Sequence, residues 1–103
     1  MAHCPFEKLG DLRAVLDEIR SWPGIQEPKP GIFYLKRVAF LHFHLDTEGH
    51  RSADVRDGAS WGAPLDVPSS TSAAAQRRLL AEARRRHATT TSHLADSRKR
   101  SAR

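Results

Sequence analysis

Two histidines in one short run are the residues of this sequence best placed to do chemistry. His42 and His44 lie two positions apart within the run Phe-Leu-His-Phe-His-Leu. On a β-strand, side chains at this spacing project to the same face, with Cα atoms about 6.5–7 Å apart. Two imidazoles in this arrangement can bind one Zn²⁺ ion, with Asp54 or His50 as a third ligand and water in the fourth position.

The same residues admit two other interpretations. Asp54 could orient His42 as a general base, in the way that carboxylates fix a histidine tautomer in hydrolases. Alternatively, all of these residues are polar side chains on the solvated face of a half-exposed sheet. No serine or cysteine stands out as a nucleophile beside the histidines, so no catalytic residue is assigned.

A second candidate site is the arginine-rich C-terminal part of the chain. Residues 1–75 carry a net charge of −2 and residues 76–103 a net charge of +7, so all of the excess of +5 is C-terminal. Arg77 and Arg84 are seven residues apart, as are Arg78 and Arg85, and each pair therefore shares a helix face. Such a surface predicts salt-dependent binding to nucleic-acid phosphates, without sequence preference. The alternative is a solvated helix face, because no helix-turn-helix, zinc-finger or RNP-type aromatic motif accompanies the arginines.

A small antiparallel sheet is predicted to position the histidines. Runs at 32–35, 38–45 and 50–56 are joined by short turns, which predicts a three-stranded meander, and residues 61–68 offer a fourth strand. We expect a register that pairs residue 42 with 54 and residue 43 with 53, because a slip of one residue would bury Asp54.

Alternation along the second strand then separates an apolar face from a polar one. Leu41, Phe43 and Leu45 are expected to face the core. His42 and His44 are expected on the other face, together with Val38 and Phe40. Two apolar residues on that face indicate that a neighbouring helix covers part of it.

Two helices are predicted to flank the sheet, which makes the fold class α+β. Hydrophobic residues recur at steps of three and four over residues 5–22, and Trp22-Pro23-Gly24 ends that helix. A run of serine and threonine residues supplies N-caps for a second helix over 73–87. Beyond it, Leu94 is the one large hydrophobic residue, so we expect a single domain over residues 1–87 and a disordered basic tail over 88–103.

Composition narrows the class of protein further. No run approaches the about 18 apolar residues of a membrane helix, no export signal is recognisable, and a glycine-rich phosphate loop is absent. The single cysteine, Cys4, excludes an intrachain disulfide and favours a reducing cytoplasm; its thiol is interpreted as incidental. A core of this size also favours a homodimer formed through a face or edge of the sheet.

Several short stretches resemble the MmcQ/YjbR-like family of small bacterial proteins. They are Trp22-Pro23-Gly24-Ile25-Gln26-Glu27, Ile32-Phe33-Tyr34-Leu35, Ala39-Phe40-Leu41-His42 and Leu79-Leu80-Ala81-Glu82-Ala83-Arg84. The resemblance implies an α+β architecture and, by analogy of fold, DNA binding. The chain departs from the family pattern at Arg37 and Val38, where the family prefers glycine and lysine, and it lacks the middle helix.

The leading hypothesis from the sequence is a non-enzymatic cytoplasmic module that binds nucleic acid through the C-terminal arginines and needs no cofactor. One alternative is a zinc-dependent or histidine-assisted enzyme that uses His42, His44 and Asp54. Another is a protein-interaction module that dimerises through its sheet.

Overall fold

The computed structural model of the chain describes the backbone of residues 2–101 and the side chains of residues 3–97. The fold is α+β: one antiparallel sheet carries its helices on a single face. The strands are β1 (Ala2–His3), β2 (Ile25–Lys29), β3 (Ile32–Leu35), β4 (Val38–Leu45), β5 (Arg51–Asp57), β6 (Ser60–Trp61) and β7 (Leu65–Val67). The helices are a 3₁₀ helix (Phe6–Leu12), α1 (Arg13–Arg20) and α2 (Ala73–Ser101).

The central meander β3-β4-β5 confirms the predicted topology, and its register is the predicted one. His42 pairs with Asp54 and Phe43 with Ala53. The sheet is larger than expected, because β2 joins its edge beside β3, β1 pairs with the second half of β4, and β6 and β7 pair with β5. β2 is a strand that the sequence pattern did not predict, and two short strands within residues 60–67 take the place of the one expected over 61–68.

The N-terminal helical segment has the predicted apolar face but two kinds of helix. Phe6, Leu9 and Leu12 are spaced by three residues, the period at which side chains line up along a 3₁₀ helix. Val15, Leu16 and Ile19 follow with three- and four-residue steps and are buried along α1. The expectation of one continuous α-helix over 5–22 is thus corrected, and its core-facing side is confirmed except at Phe6, which is exposed.

A bulge in β4 corrects the predicted position of Phe40. Phe33 pairs with Leu41 and Tyr34 with Ala39, so one step along β3 matches two steps along β4. The extra residue allows both Phe40 and Leu41 to be buried, and the Phe40 ring lies 5.8 Å from the ring of His87 on α2. Phe40 therefore lies on the helix side, and the expected helix over the histidine face does not form there.

The predicted disordered tail is wrong for residues 88–101, since α2 continues to Ser101. Thr90 is fully buried, and its hydroxyl accepts a hydrogen bond from the amide of Gly58 at 3.0 Å. Leu94 packs against the core from the next turn. These contacts stabilise the helix in a segment whose composition alone suggests disorder. The predicted domain boundary at residue 87 therefore falls inside α2. Residues 102 and 103 of the predicted tail lie outside the described residues.

Two buried arginines hold the ends of β5 in place. The guanidinium of Arg51 donates to both carboxylate oxygens of Asp11, at 2.8 and 2.9 Å, and to the carbonyls of Lys8 and Pro68. Arg86 of α2 donates to Glu82 and to the carbonyl oxygen of Val55 at 3.1 Å. Neither arginine is available for a ligand, because each satisfies buried carbonyl groups of the protein. Among the described residues, no helix is both long and apolar enough to cross a membrane.

Candidate metal centre

The predicted pair of histidines and Asp54 come together on the sheet face opposite the helices. The β4–β5 register places Asp54 opposite His42 and next to His44 on the same face. One donor atom from each of the three side chains lies within 4.8 Å of the other two. Ligand atoms of one tetrahedral zinc ion lie about 3.3 Å apart, so these three side chains would need small rotations to bind one ion together.

The ring nitrogens in this cluster are buried without a hydrogen-bond partner. They are Nδ1 of His42 and both Nδ1 and Nε2 of His44. Nε2 of His44 lies 2.7 Å from Oδ2 of Asp54, the distance of an ion pair, but the approach lacks the geometry of a hydrogen bond. Two ligands of one tetrahedral zinc ion, each bound at about 2.0–2.1 Å, lie about 3.3 Å apart, so these two atoms would separate slightly to bind a common cation.

The surroundings of His42 favour its neutral imidazole, which is the form that binds a metal ion. Burial is the main cause that lowers the pKa of His42, and the neighbouring His44 lowers it further. The imidazole of His42 is therefore neutral at ordinary pH. A neutral ring keeps a free lone pair, which a metal ion needs from a histidine ligand.

His3 and Trp61 border the cluster, and neither was identified as a site residue from the sequence. The ring of His3 lies 5.2 Å from that of His42 and 5.5 Å from that of His44. The Trp61 ring, 40% exposed as a residue, packs edge-on at 4.8 Å from His42. A two-residue strand gives no periodic signal, so the approach of His3 follows only from the pairing of β1 with β4.

His50 does not join the site, although the sequence offered it as a third ligand. Its side chain is 73% exposed in the β4–β5 turn, where Nδ1 lies 3.3 Å from Asp46. His50 precedes Arg51, the first residue of β5, so it lies outside the strand pair that carries the cluster. Asp54 is therefore the third member, and His50 is corrected to a turn residue.

The cluster lacks the parts of a hydrolase that works by a histidine base and a nucleophile. Ser52 pairs with His44 across the strands, yet its hydroxyl makes no hydrogen bond to an imidazole among the described side chains. Cys4 is buried on the core side, where desolvation raises the pKa of its thiol. Neither group is activated in the way that nucleophilic catalysis requires.

The four arginines of the second candidate site divide into two kinds. Arg84 lies 3.5 Å from Glu18 and stacks over Trp22, and Arg85 forms ion pairs with Glu82 and Asp57. Arg77 and Arg78 are exposed, and within the described part of the chain no carboxylate forms an ion pair with them. Sequence spacing could not separate these two kinds, because the acidic partners of Arg84 and Arg85 come mostly from other elements.

A scan against protein-family models and searches of curated proteins and of solved structures found no match to this chain. The resemblance to the MmcQ/YjbR-like family therefore stays a prediction. The function has to be argued from the site itself.

Proposed function

We propose that this protein binds a divalent transition-metal ion, with Zn²⁺ the best chemical match, through His42, His44 and Asp54. The observation that carries the proposal is the convergence of three donor atoms within 4.8 Å of one another, beside buried imidazole nitrogens that make no hydrogen bond. This role replaces nucleic-acid binding as the leading hypothesis, and it assigns no reaction to the protein.

The cost of leaving these nitrogens unpaired supports the proposal over a solvated polar face. A buried polar atom without a hydrogen bond costs about 1–3 kcal/mol, so such atoms are rare in folded proteins. Nδ1 of His42 and Nδ1 of His44 are two such atoms, and Nε2 of His44 has only its poorly directed approach to Asp54. On a solvated face the nitrogens would contact water, whereas a single bound cation would engage one nitrogen of each ring and the Asp54 carboxylate together.

The donor set selects the class of metal ion. Imidazole is a preferred ligand of zinc, copper, nickel and iron, whereas calcium and magnesium prefer sites built of oxygen atoms. Two histidines and one carboxylate also form the ligand set of non-haem Fe(II) centres, which keep open positions. Zinc is favoured because a further imidazole, that of His3, lies beside the cluster, and sites rich in imidazole suit zinc.

Metal analysis of protein without affinity-tag histidines tests the proposal. Wild-type protein is expected to retain about one zinc ion per chain after dialysis and to compete with a chromophoric chelator for it. His42→Ala and Asp54→Asn are each expected to lose the ion, and His50→Ala serves as the matched control that keeps it. Zinc content that is negligible in wild type, or equal in all four proteins, contradicts the proposal. One equivalent of iron instead would identify the ion as Fe(II) and reject zinc.

Nucleic-acid binding is a second candidate, and the exposure of Arg77 and Arg78 is the observation that favours it. Neutralising both to glutamine is expected to weaken binding to every sequence alike and to flatten its salt dependence. Absence of duplex or single-strand retention by wild type at about 50 mM salt rejects this candidate.

A further inference from the structure

We propose that His3 is a fourth protein ligand, so that strand β1 closes the metal centre and leaves no position for water. This inference rests on the proposed zinc site of His42, His44 and Asp54. It assigns the site to the closed class, in which the protein supplies all four ligands, rather than to the open class that activates a water molecule.

The pairing of β1 with β4 brings His3 to the site. His3 is the Cα partner of His44, so their side chains project to the same face of the sheet. The next residue along the chain anchors this arrangement. The amide of Cys4 donates to the carbonyl of Phe43 at 2.9 Å, and the Cys4 side chain is buried in the core on the opposite face. The backbone of His3 is thus held from one side while its ring stays exposed on the other.

The spacing of the three imidazole rings matches rings around one ion. The centre of an imidazole lies about 3.2 Å from a zinc ion bound at about 2.0–2.1 Å through a ring nitrogen. Two such ring centres are then about 4.5 Å apart at a right angle and about 5.2 Å apart at the tetrahedral angle. The observed separations are 4.6 Å for His42 and His44, 5.2 Å for His3 and His42, and 5.5 Å for His3 and His44.

The closing step needs only a side-chain rotation. The donor atoms that lie within 4.8 Å of one another belong to His42, His44 and Asp54, so the ring of His3 must turn toward them to bind. Its side chain is exposed and its ring already lies close to the other two, so we expect rotation about the Cα–Cβ and Cβ–Cγ bonds to bring a ring nitrogen to the ion. Ion binding would then tie β1 to β4 through a metal–ligand bond in addition to backbone hydrogen bonds.

Cobalt substitution of His3→Ala tests this inference, with His50→Ala as a control that also removes one exposed histidine. Wild type and His50→Ala are expected to show the intense visible absorption of four-coordinate Co²⁺ with four protein ligands. His3→Ala is expected to bind zinc at least about tenfold more weakly, since even loss of an outer partner of a ligand costs about 10–100-fold. Its cobalt spectrum should shift toward that of a site with bound water, while stoichiometry stays at one ion per chain.

Amide exchange supplies a readout that a merely electrostatic role of His3 would not move. In wild type, zinc is expected to slow exchange of the Cys4 amide, which bonds to β4. In His3→Ala, zinc should leave that rate unchanged. Equal zinc affinity and equal cobalt spectra for His3→Ala and wild type overturn the fourth ligand and leave the three-residue site intact. A wild-type protein that binds no metal overturns both proposals.

Discussion

Replacing His42 by leucine is expected to stabilise the metal-free protein and to abolish its response to zinc. His42 is partly buried, and its Nδ1 has no hydrogen-bond partner. Removing an unsatisfied buried polar atom returns about 1–3 kcal/mol, and leucine adds apolar contact with the adjacent Trp61 ring. Part of this gain is offset by imperfect packing of the branched side chain. We therefore expect the free energy of unfolding to rise by about 1–2 kcal/mol.

Zinc is expected to reverse the order of stability of the two proteins. A ligand that binds only the folded state at about one hundred times its dissociation constant stabilises that state by about 2.7 kcal/mol. Wild type should gain this amount and His42→Leu should gain nothing. Wild type would then be less stable than the variant in chelator and more stable than it in zinc.

Urea unfolding of both proteins, in EDTA and in buffered zinc, measures these differences. His50→Leu is the control, because His50 lies in an exposed turn outside the cluster and should keep the wild-type response to zinc. The reasoning is refuted if His42→Leu is destabilised by about 2 kcal/mol or more in EDTA, since the imidazole would then make favourable contacts of its own. An undiminished gain in zinc would refute the assignment of His42 as a ligand.

Three further predictions concern the fold that holds the site. Deleting residues 90–103 should lower the free energy of unfolding by about 3 kcal/mol, because the Gly58 amide loses its buried partner and the contacts of Leu94 with the core are lost. Deleting only residues 98–103 should change it by less than about 1 kcal/mol. Equal thermal midpoints for the 90–103 deletion and the full chain would show that the end of α2 does not dock. Asp11→Asn should destabilise the protein by about 2–4 kcal/mol at pH 7, because it breaks the pair with buried Arg51. Hydrogen bonds from Arg51 hold the pKa of Asp11 below its usual range, so this carboxylate stabilises the fold above about pH 4. The difference in free energy of unfolding between wild type and Asp11→Asn should therefore shrink as the pH falls further. Urea titrations that give a pH-independent difference would contradict this. Phe43→Ala should cost about 3–5 kcal/mol in chemical unfolding, and a loss smaller than that caused by His42→Ala would mean that the sheet faces are assigned the wrong way round.

The amino-acid sequence by itself determined the strand pair that carries the candidate site. Apolar and polar residues alternate over residues 41–45 of β4 and 52–56 of β5, and only one register keeps Asp54 out of the core. Because this information lies within some fifteen neighbouring residues and a tight turn, local patterning was sufficient to predict it. The pairing of His42 with Asp54 was therefore predicted from pattern alone, and the structure confirms it.

The tertiary structure alone decided which further side chains reach the site and which charges remain free. His3 lies beside the site because the two-residue strand β1 pairs with β4. Phe40 lies on the opposite face from the histidines because β4 contains a bulge. Arg85 is neutralised by a carboxylate from β5, and α2 continues past residue 87 because Thr90 finds a buried partner. Each of these outcomes depends on contacts between residues far apart in the chain, and the free energy of such contacts overrides local propensity and composition.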